Sequence, residues 1–422
     1  MYYQKMSREK LFEIKNELEF EYNNFKKRNL SLDMSRGKPS PEQLDLSVGL
    51  LGCINDETGY KSQNGFDCRN YGILEGIVEC RKIFADLLDV EDDNIIIGGN
   101  SSLNIMFDYI SQCMLSGAGC EPWSKQGKIK FICPVPGYDR HFSICEYFGI
   151  EMINVSMNAD GPDMDKVEEL IKDEKVKGMF VVPKYSNPSG ITFSKEIVER
   201  FSNLKPAAKD FRVIWDNAYC IHDMNEQGDE LYNIFEACKG KESENYFIEV
   251  TSTSKISFPG AGVSALTASK KNIEEIKKRM TVQTIGNDKI NQLRHALFFK
   301  DLNGLKEHMK LHGKLLKPRF DIVLDTFEKE LSQSGIAKWT YPNGGYFISL
   351  DVPEGCAKRT VQLCKEIGIV LTGAGATYPY KNDPEDKNIR IAPSYPSVEE
   401  LKDAAQGLCI CVKLAFVEKL IG

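Results

Sequence analysis

Apolar and polar positions along this chain follow two different periods. Around residues 129–133, 152–155, 178–182, 213–215 and 246–250, apolar residues gather in short runs rich in β-branched and aromatic types, as in buried strands. Between them, residues 141–148, 164–171 and 195–204 place apolar residues every three or four positions, the spacing of an amphipathic helix. This alternation predicts βαβ units and a mostly parallel sheet. Upstream, residues 7–28 form an amphipathic helix with Leu11, Ile14, Leu18, Tyr22 and Phe25 on one face, ready to pack on this chain or on a partner. Residues 95–97 read as a short buried strand running through Gly98-Gly99-Asn100-Ser101-Ser102 into a helix over 103–115.

Beyond residue 270 the texture changes. Long helices are expected over 270–282, 288–301 and 302–331, then a glycine-rich strand over 344–348, a further helix, the segment Ile389-Arg390-Ile391-Ala392-Pro393 and a closing helix to 420. The expected division is a large domain over 46–300 and a smaller α+β domain over 301–422, which also takes in the helix and loop of residues 1–45. The chain shows no internal repeat.

Composition narrows the class. A chain of 422 residues, 42% hydrophobic and 27% charged, can bury a sizeable core and is ordinary for a globular protein. A net charge of −7 gives no basic surface for nucleic acid or an anionic membrane. No apolar run approaches the ~18–20 residues of a membrane span, and the N-terminus is charged instead of signal-like. Thirteen cysteines without CxxC pairs read as reduced thiols, which places the chain in the cytoplasm.

In a parallel sheet, ligands sit beyond the carboxyl ends of the strands. Those ends carry Asn100-Ser101, Pro136-Gly137-Tyr138, Asn187-Pro188-Ser189-Gly190, Asp216-Asn217-Ala218-Tyr219 and Ser254-Lys255. The run Thr251-Ser252-Thr253-Ser254-Lys255 sets one lysine among hydroxyls, ahead of Pro259-Gly260. Such a lysine suits a phosphorylated aldehyde: the amine forms a Schiff base while hydroxyls and turn N–H groups hold phosphate. Asn100, Ser101 and Ser102 open a helix, whose free N–H groups and dipole also favour an anion. The turn is neither a Walker loop nor a dinucleotide fingerprint. A carboxylate such as Asp216 can keep a pyridine nitrogen protonated, making the ring an electron sink. Tyr219 and Asn187 can bond a ring hydroxyl, and Tyr138 offers a face for stacking. Arg390 can take a substrate carboxylate as a fork, and Arg36 beside Gly37 suits a carboxylate too.

These residues, in this order, resemble the class I/II aminotransferases, the fold-type I pyridoxal-phosphate enzymes, from about Arg36 to Ala392. The resemblance implies a seven-stranded, mostly parallel sheet flanked by helices, and pyridoxal 5′-phosphate as cofactor. Asn187-Pro188-Ser189-Gly190 is similar to the family's Asn-Pro-[Thr/Ser]-Gly, Asp216-x-x-Tyr219 to its pyridinium Asp and Tyr, and Ser252-x-Ser254-Lys255 to its Schiff-base segment. Pro136-x-Tyr138 with His141 is similar to its stacking aromatic and the histidine that supports the Asp. Tyr71, in Asn70-Tyr71-Gly72, matches the tyrosine that reaches the neighbouring subunit's phosphate, which implies a homodimer. Arg390 matches the arginine for the α-carboxylate, and Gly37 the glycine whose N–H meets it. Aspartate and 2-oxoglutarate are the expected substrates, from likeness to an aspartate-aminotransferase-like (MocR-like) subgroup, with Arg36 for a second carboxylate.

One position departs from the pattern. The family places a phosphate-binding arginine in Pro-Gly-x-Arg, whereas Pro259-Gly260-Ala261-Gly262 ends in glycine. Phosphate is then left to Asn100, Ser101, Ser102, Ser252, Tyr71 and backbone N–H groups, or to a cation from elsewhere. Lys184 lacks the flanking hydroxyls and turn, and is read as non-catalytic. His222 and Asp223 read as loop packing. His308 and His312, on one helix face with no further ligand in view, read as a solvated face, so no metal is expected. Another fold-type I reaction, such as carbon–sulfur β-lysis, uses the same constellation. A regulator with an aminotransferase-like effector domain needs a winged helix-turn-helix, for which one helix before Arg36 is too short.

Overall fold

The computed structural model describes residues 3–422. Its largest sheet runs in the order Ile95–Ile97, Ser264–Ala268, Phe247–Ser252, Arg212–Asp216, Val176–Val181, Lys130–Val135, Glu151–Asn158 and Gly161–Pro162. The five strands from Phe247–Ser252 to Glu151–Asn158 are mutually parallel. Ser264–Ala268 runs against them and pairs antiparallel with Ile95–Ile97. Apart from the two-residue Gly161–Pro162 at one edge, this gives the seven strands that the resemblance implies, six of them read from the apolar pattern and Ser264–Ala268 missed by it.

Side chains alternate across this sheet, as the pleat requires. Val213 and Trp215 enter one buried cluster with Phe201 and Phe247, while Ile214 enters another with Phe131 and Ile248. Covered on both faces, the strands read as apolar runs without alternation. Asp216 is opposite Val250 in register, so the end of its strand lies beside Thr251 and Ser252, just ahead of Lys255.

The rest of the chain gathers around a second core. Lys338–Trp339, Ile348–Asp351 and Asn388–Ile391 form a three-stranded antiparallel sheet, and Leu32–Asp33 pairs with Ile369–Val370. The N-terminal helix Arg8–Lys26 buries Leu11, Leu18 and Tyr22 in the same cluster as Leu401 and Leu408 of the closing helix Val398–Ile421, so its apolar face is covered within the chain. The 30-residue helix Leu302–Leu331 spans both cores: Leu305 and Met309 pack with Ile256 and Phe299, whereas Phe320 and Phe327 join the second core.

Two expectations are corrected. The glycine-rich segment is a strand only from Ile348 onward. Gly344 passes so close to His222 that a Cβ would stand 2.3 Å from His222 O, and Gly345 takes φ +78, so the backbone turns here and delivers Tyr346 inward. His308 and His312 are not solvated, because their face of the long helix packs inward and both rings are buried. All thirteen cysteines are free thiols, most of them buried. Among the described residues, no helix is long and apolar enough to cross a membrane, and no cluster of side chains could hold a metal ion.

Candidate active site

Beyond the strand ends lies a cavity of about 500 Å³ that brings together Arg36, Gly37, Tyr138, Asn187, Tyr219, Lys255 and Arg390. Residues separated by more than 350 positions thus share one space, because the second core folds its loops over the carboxyl edge of the large sheet.

Lys255 sits in the turn that follows Phe247–Ser252, and this turn is fastened from behind. His295, on the helix Lys289–Phe299, uses Nδ1 to donate to Asn291 O at 2.8 Å. Its Nε2 is then an acceptor, for Ser257 Oγ at 2.8 Å and Thr253 Oγ1 at 3.2 Å. The Lys255 amine lies 5.1 Å from the centre of the Tyr219 ring. Burial holds its pKa below the usual lysine value, Asp216 opposes that shift, and Arg390 adds to it. A lysine shifted this way gives up its proton more readily than a free one, which suits nucleophilic and basic work.

Asp216 ends its strand, and His141 rises from the helix Asp139–Tyr147 to place Nε2 3.0 Å from Asp216 Oδ2. The imidazole stacks on Phe180, ring centres 4.6 Å apart, and meets the edge of Tyr138 at 4.9 Å. Asp216 Oδ1 is buried and has no partner. A buried carboxylate oxygen left this way calls for a donor that the protein does not supply. A pyridinium N–H fits it. Burial, with Tyr138 and Asp216 adding, raises the Tyr219 phenol well above its ordinary value, so its hydroxyl stays protonated.

Nearby is an anion cradle. Ser101 caps the helix Ser102–Ser116, its Oγ accepting from Leu103 N, while the N–H groups of Ser101 and Ser102 have no acceptor among the described residues. Ser252 Oγ donates to Ser254 Oγ at 3.1 Å, which donates to Asn100 O at 2.9 Å. Gly262 lies against the same groups: a Cβ there would stand 3.1 Å from Thr253 Oγ1 and 3.2 Å from Asn100 O. Tyr71 does not join them within the chain, since its ring is 78% exposed.

Arg390 is buried and heavily engaged. Its Nη1 donates to Asp139 Oδ1 at 2.8 Å and to Asn187 Oδ1 at 3.3 Å, and Nη2 to Thr372 Oγ1 at 3.2 Å. Its Cζ lies 5.0 Å from the centre of the Phe347 ring, while Nε is buried without a partner. Gly37 passes under Phe347, where a Cβ would come within 2.6 Å of Cζ. Arg36 and Arg140 border the cavity, exposed and without an ion pair among the described residues. Lys184 is held elsewhere, by Asp223 Oδ1 at 2.9 Å and Cys220 O at 3.1 Å.

Sequence reasoning passed over Asp139, Thr372, Phe347, Arg140 and His295. Asp139 and Arg140 stood in plain view beside Tyr138, yet only the fold shows that they face this cavity. Thr372 and Phe347 carry no local signal.

Comparison with known proteins gives consistent relatives. A family model described as aspartate amino-transferase matches residues 6–422. The aspartate aminotransferase of Corynebacterium glutamicum is 49% identical over 399 residues, 94% of this chain and 92% of that protein. A crystal structure of an aspartate transaminase from the same species superposes with a TM-score of 0.97 at 47% identity, covering 100% of this chain and 99% of that one. An α-aminoadipate aminotransferase from Thermus thermophilus, solved with N-(5′-phosphopyridoxyl)-L-leucine, shares the fold at a TM-score of 0.75 and 19% identity, over 92% and 93% of the two chains.

Proposed function

We propose, for a chain that belongs to the aspartate aminotransferase family and so is a transferase of amino groups, that aspartate is the donor, 2-oxoglutarate the acceptor and pyridoxal 5′-phosphate the cofactor. The observation that carries this reading is that Lys255, whose pKa burial lowers, shares one cavity with the Arg390 fork and feels the charge of Asp216, a buried carboxylate with one oxygen that lacks a donor.

Lys255 would hold the cofactor at its aldehyde end, Asp216 and His141 at its ring nitrogen, and Tyr219 and Asn187 at its ring hydroxyl. Tyr138 would stack on the ring. Asn100, Ser101, Ser102, Ser252 and Ser254 would hold its phosphate, with Tyr71 of a second copy completing a homodimeric site. Bound there, pyridoxal phosphate supplies an electron sink for the charge left when an amino acid loses its Cα proton.

The chain's own residues do the rest. Arg390 and the Gly37 N–H take the α-carboxylate, which fixes the substrate so that the Cα–H bond faces Lys255. Lys255 Nζ would carry that proton between Cα and the carbon of the cofactor's aldehyde, in one direction in each half-reaction, as base and then as acid. Buried His141 holds Asp216 in one orientation. Arg36 takes the side-chain carboxylate of a dicarboxylic substrate. The separate cores support a division into a large domain, residues 46–300, and a small one, residues 301–422 with 1–45.

Reconstitution with pyridoxal phosphate tests this directly. A visible absorbance band that aspartate removes and 2-oxoglutarate restores, with oxaloacetate and glutamate as products, is the expected result. The same band in Lys255→Ala, or no exchange of amino groups, would sink the proposal.

A further inference from the structure

Behind Lys255 lies a buried polar chain that the reaction as proposed does not use. Its hub is Gln43, fully buried on the short helix Pro41–Asp45 just after the Arg36–Gly37 loop. Ser40 N donates to Gln43 Oε1 at 3.1 Å, and Gln43 N donates to Ser40 Oγ at 3.4 Å, a reciprocal capping box. The oxygen end of the Gln43 amide is thereby committed.

Both hydrogens of the amide nitrogen then point away from the loop. One goes to Tyr346 Oη at 2.9 Å, the other to His312 Nδ1 at 3.0 Å. Because Tyr346 accepts from Gln43, its own hydrogen is free to donate onward to Lys255 O, 3.4 Å away. Because His312 Nδ1 accepts, its proton sits on Nε2, directed at His308 Nε2 at 3.1 Å. His308 Nε2, accepting here, has no hydrogen to give Ile256 O 2.8 Å away, and that carbonyl takes its hydrogen from Ser47 Oγ at 3.3 Å. One amide therefore reaches the carbonyl of Lys255 through Tyr346, while its other arm ends on the buried histidine pair.

We propose that Gln43 and Tyr346 are positioning residues that hold the backbone of Lys255 in register with the carboxylate-binding loop of Arg36 and Gly37. The proposal rests on the function above, in which that loop binds substrate and Lys255 moves its proton. The capping box fixes one end of the link to the loop, and the Tyr346 hydroxyl fixes the other to Lys255. Ser40, Gln43 and Tyr346 are fully buried, where a directed hydrogen-bond chain is stiff and costly to break. A loop set in this way places the substrate's Cα against an amine whose own backbone is tied to the same amide.

Tyr346→Phe, which removes only the hydroxyl, and Gln43→Met, which keeps the volume, test the link in enzyme reconstituted with pyridoxal phosphate. The expected result is a kcat about tenfold lower with KM changed less than about twofold, the pattern of lost alignment. The pH at which the visible band titrates should shift as well. In the cofactor-free protein, amide hydrogen exchange at residues 253–257 should quicken. If Tyr346→Phe keeps the unaltered kcat, band midpoint and exchange rates, the link does not position Lys255. Should Gln43→Met fail to fold, Tyr346→Phe alone decides. Should the unaltered protein form no band, the proposed function fails instead, and the exchange measurement still decides whether the link holds the turn.

Discussion

His141 Nε2 stands 3.0 Å from Asp216 Oδ2, with both side chains only 3% exposed, and it leaves Asp216 Oδ1 buried and unbonded. One oxygen is thus spent on orientation and the other is kept for a ligand. The arrangement tolerates little change on either side, because removing one partner of a buried pair strands the other.

Asp216→Asn is expected to lower kcat/KM about 10²–10³-fold, the range found when one preorganised charged contact is removed from an active site. His141→Ala leaves both oxygens without a partner and should cost about 1–3 kcal/mol of stability, read from the urea midpoint. An unaltered midpoint would mean that the pair is not coupled in the folded chain.

Arg390→Lys keeps the charge but loses the planar fork that reaches Asp139, Asn187 and Thr372 together. The expected loss in kcat/KM is about 10–100-fold, most of it in KM. Equal kinetics for the two enzymes would remove Arg390 from carboxylate binding.

Selectivity separates the two carboxylates of the substrate. Arg36→Gln should reduce kcat/KM for aspartate about tenfold or more while leaving alanine nearly unchanged, since only the dicarboxylate needs a second cation. A parallel fall for both donors would show that Arg36 serves the loop and not the side chain.

Acid should destabilise this protein through its buried histidines. Burial lowers the pKa of His295 from 6.5 to about 4, so between those values the unfolded chain binds more protons than the folded one. Its contribution is complete above pH 6.5 and is lost as pH falls through that window, by about 3 kcal/mol. His312, lowered to about 3, acts in the same direction. Urea midpoints at about pH 7 and about pH 5 should differ less in His295→Gln than in the unaltered chain. A midpoint independent of pH in the unaltered protein would refute the argument.

Subunit mixing tests the proposed dimer. Lys255→Ala and Tyr71→Ala, each inactive alone, should recover about a quarter of full activity when unfolded and refolded together, because half of the pairs then carry one intact site. No recovery would mean that Tyr71 serves no neighbouring site.

Much of this was legible in the chain itself. Most buried strands announced their place along the chain, because a parallel sheet covered on both faces needs continuous apolar runs. The strand ends carried Asn187, Asp216 and Lys255 openly, since ligand-facing turns need residues that no core would choose. The histidines were misread for a related reason: His308 and His312 lie one helical turn apart, and spacing alone does not say whether a face meets water or another helix.

Tertiary structure decided the remainder. Asp139 meets Arg390 across 251 residues, and Gln43 meets Tyr346 across 303, contacts with no trace in local periodicity. The glycine-rich segment looked like a strand until Gly344 had to pass beside His222 and Tyr185, and that close approach turned it. Local sequence sets which backbone forms are cheap. Which polar groups are shut away together, and so must satisfy one another, is settled only when the two cores close over the sheet edge and exclude water.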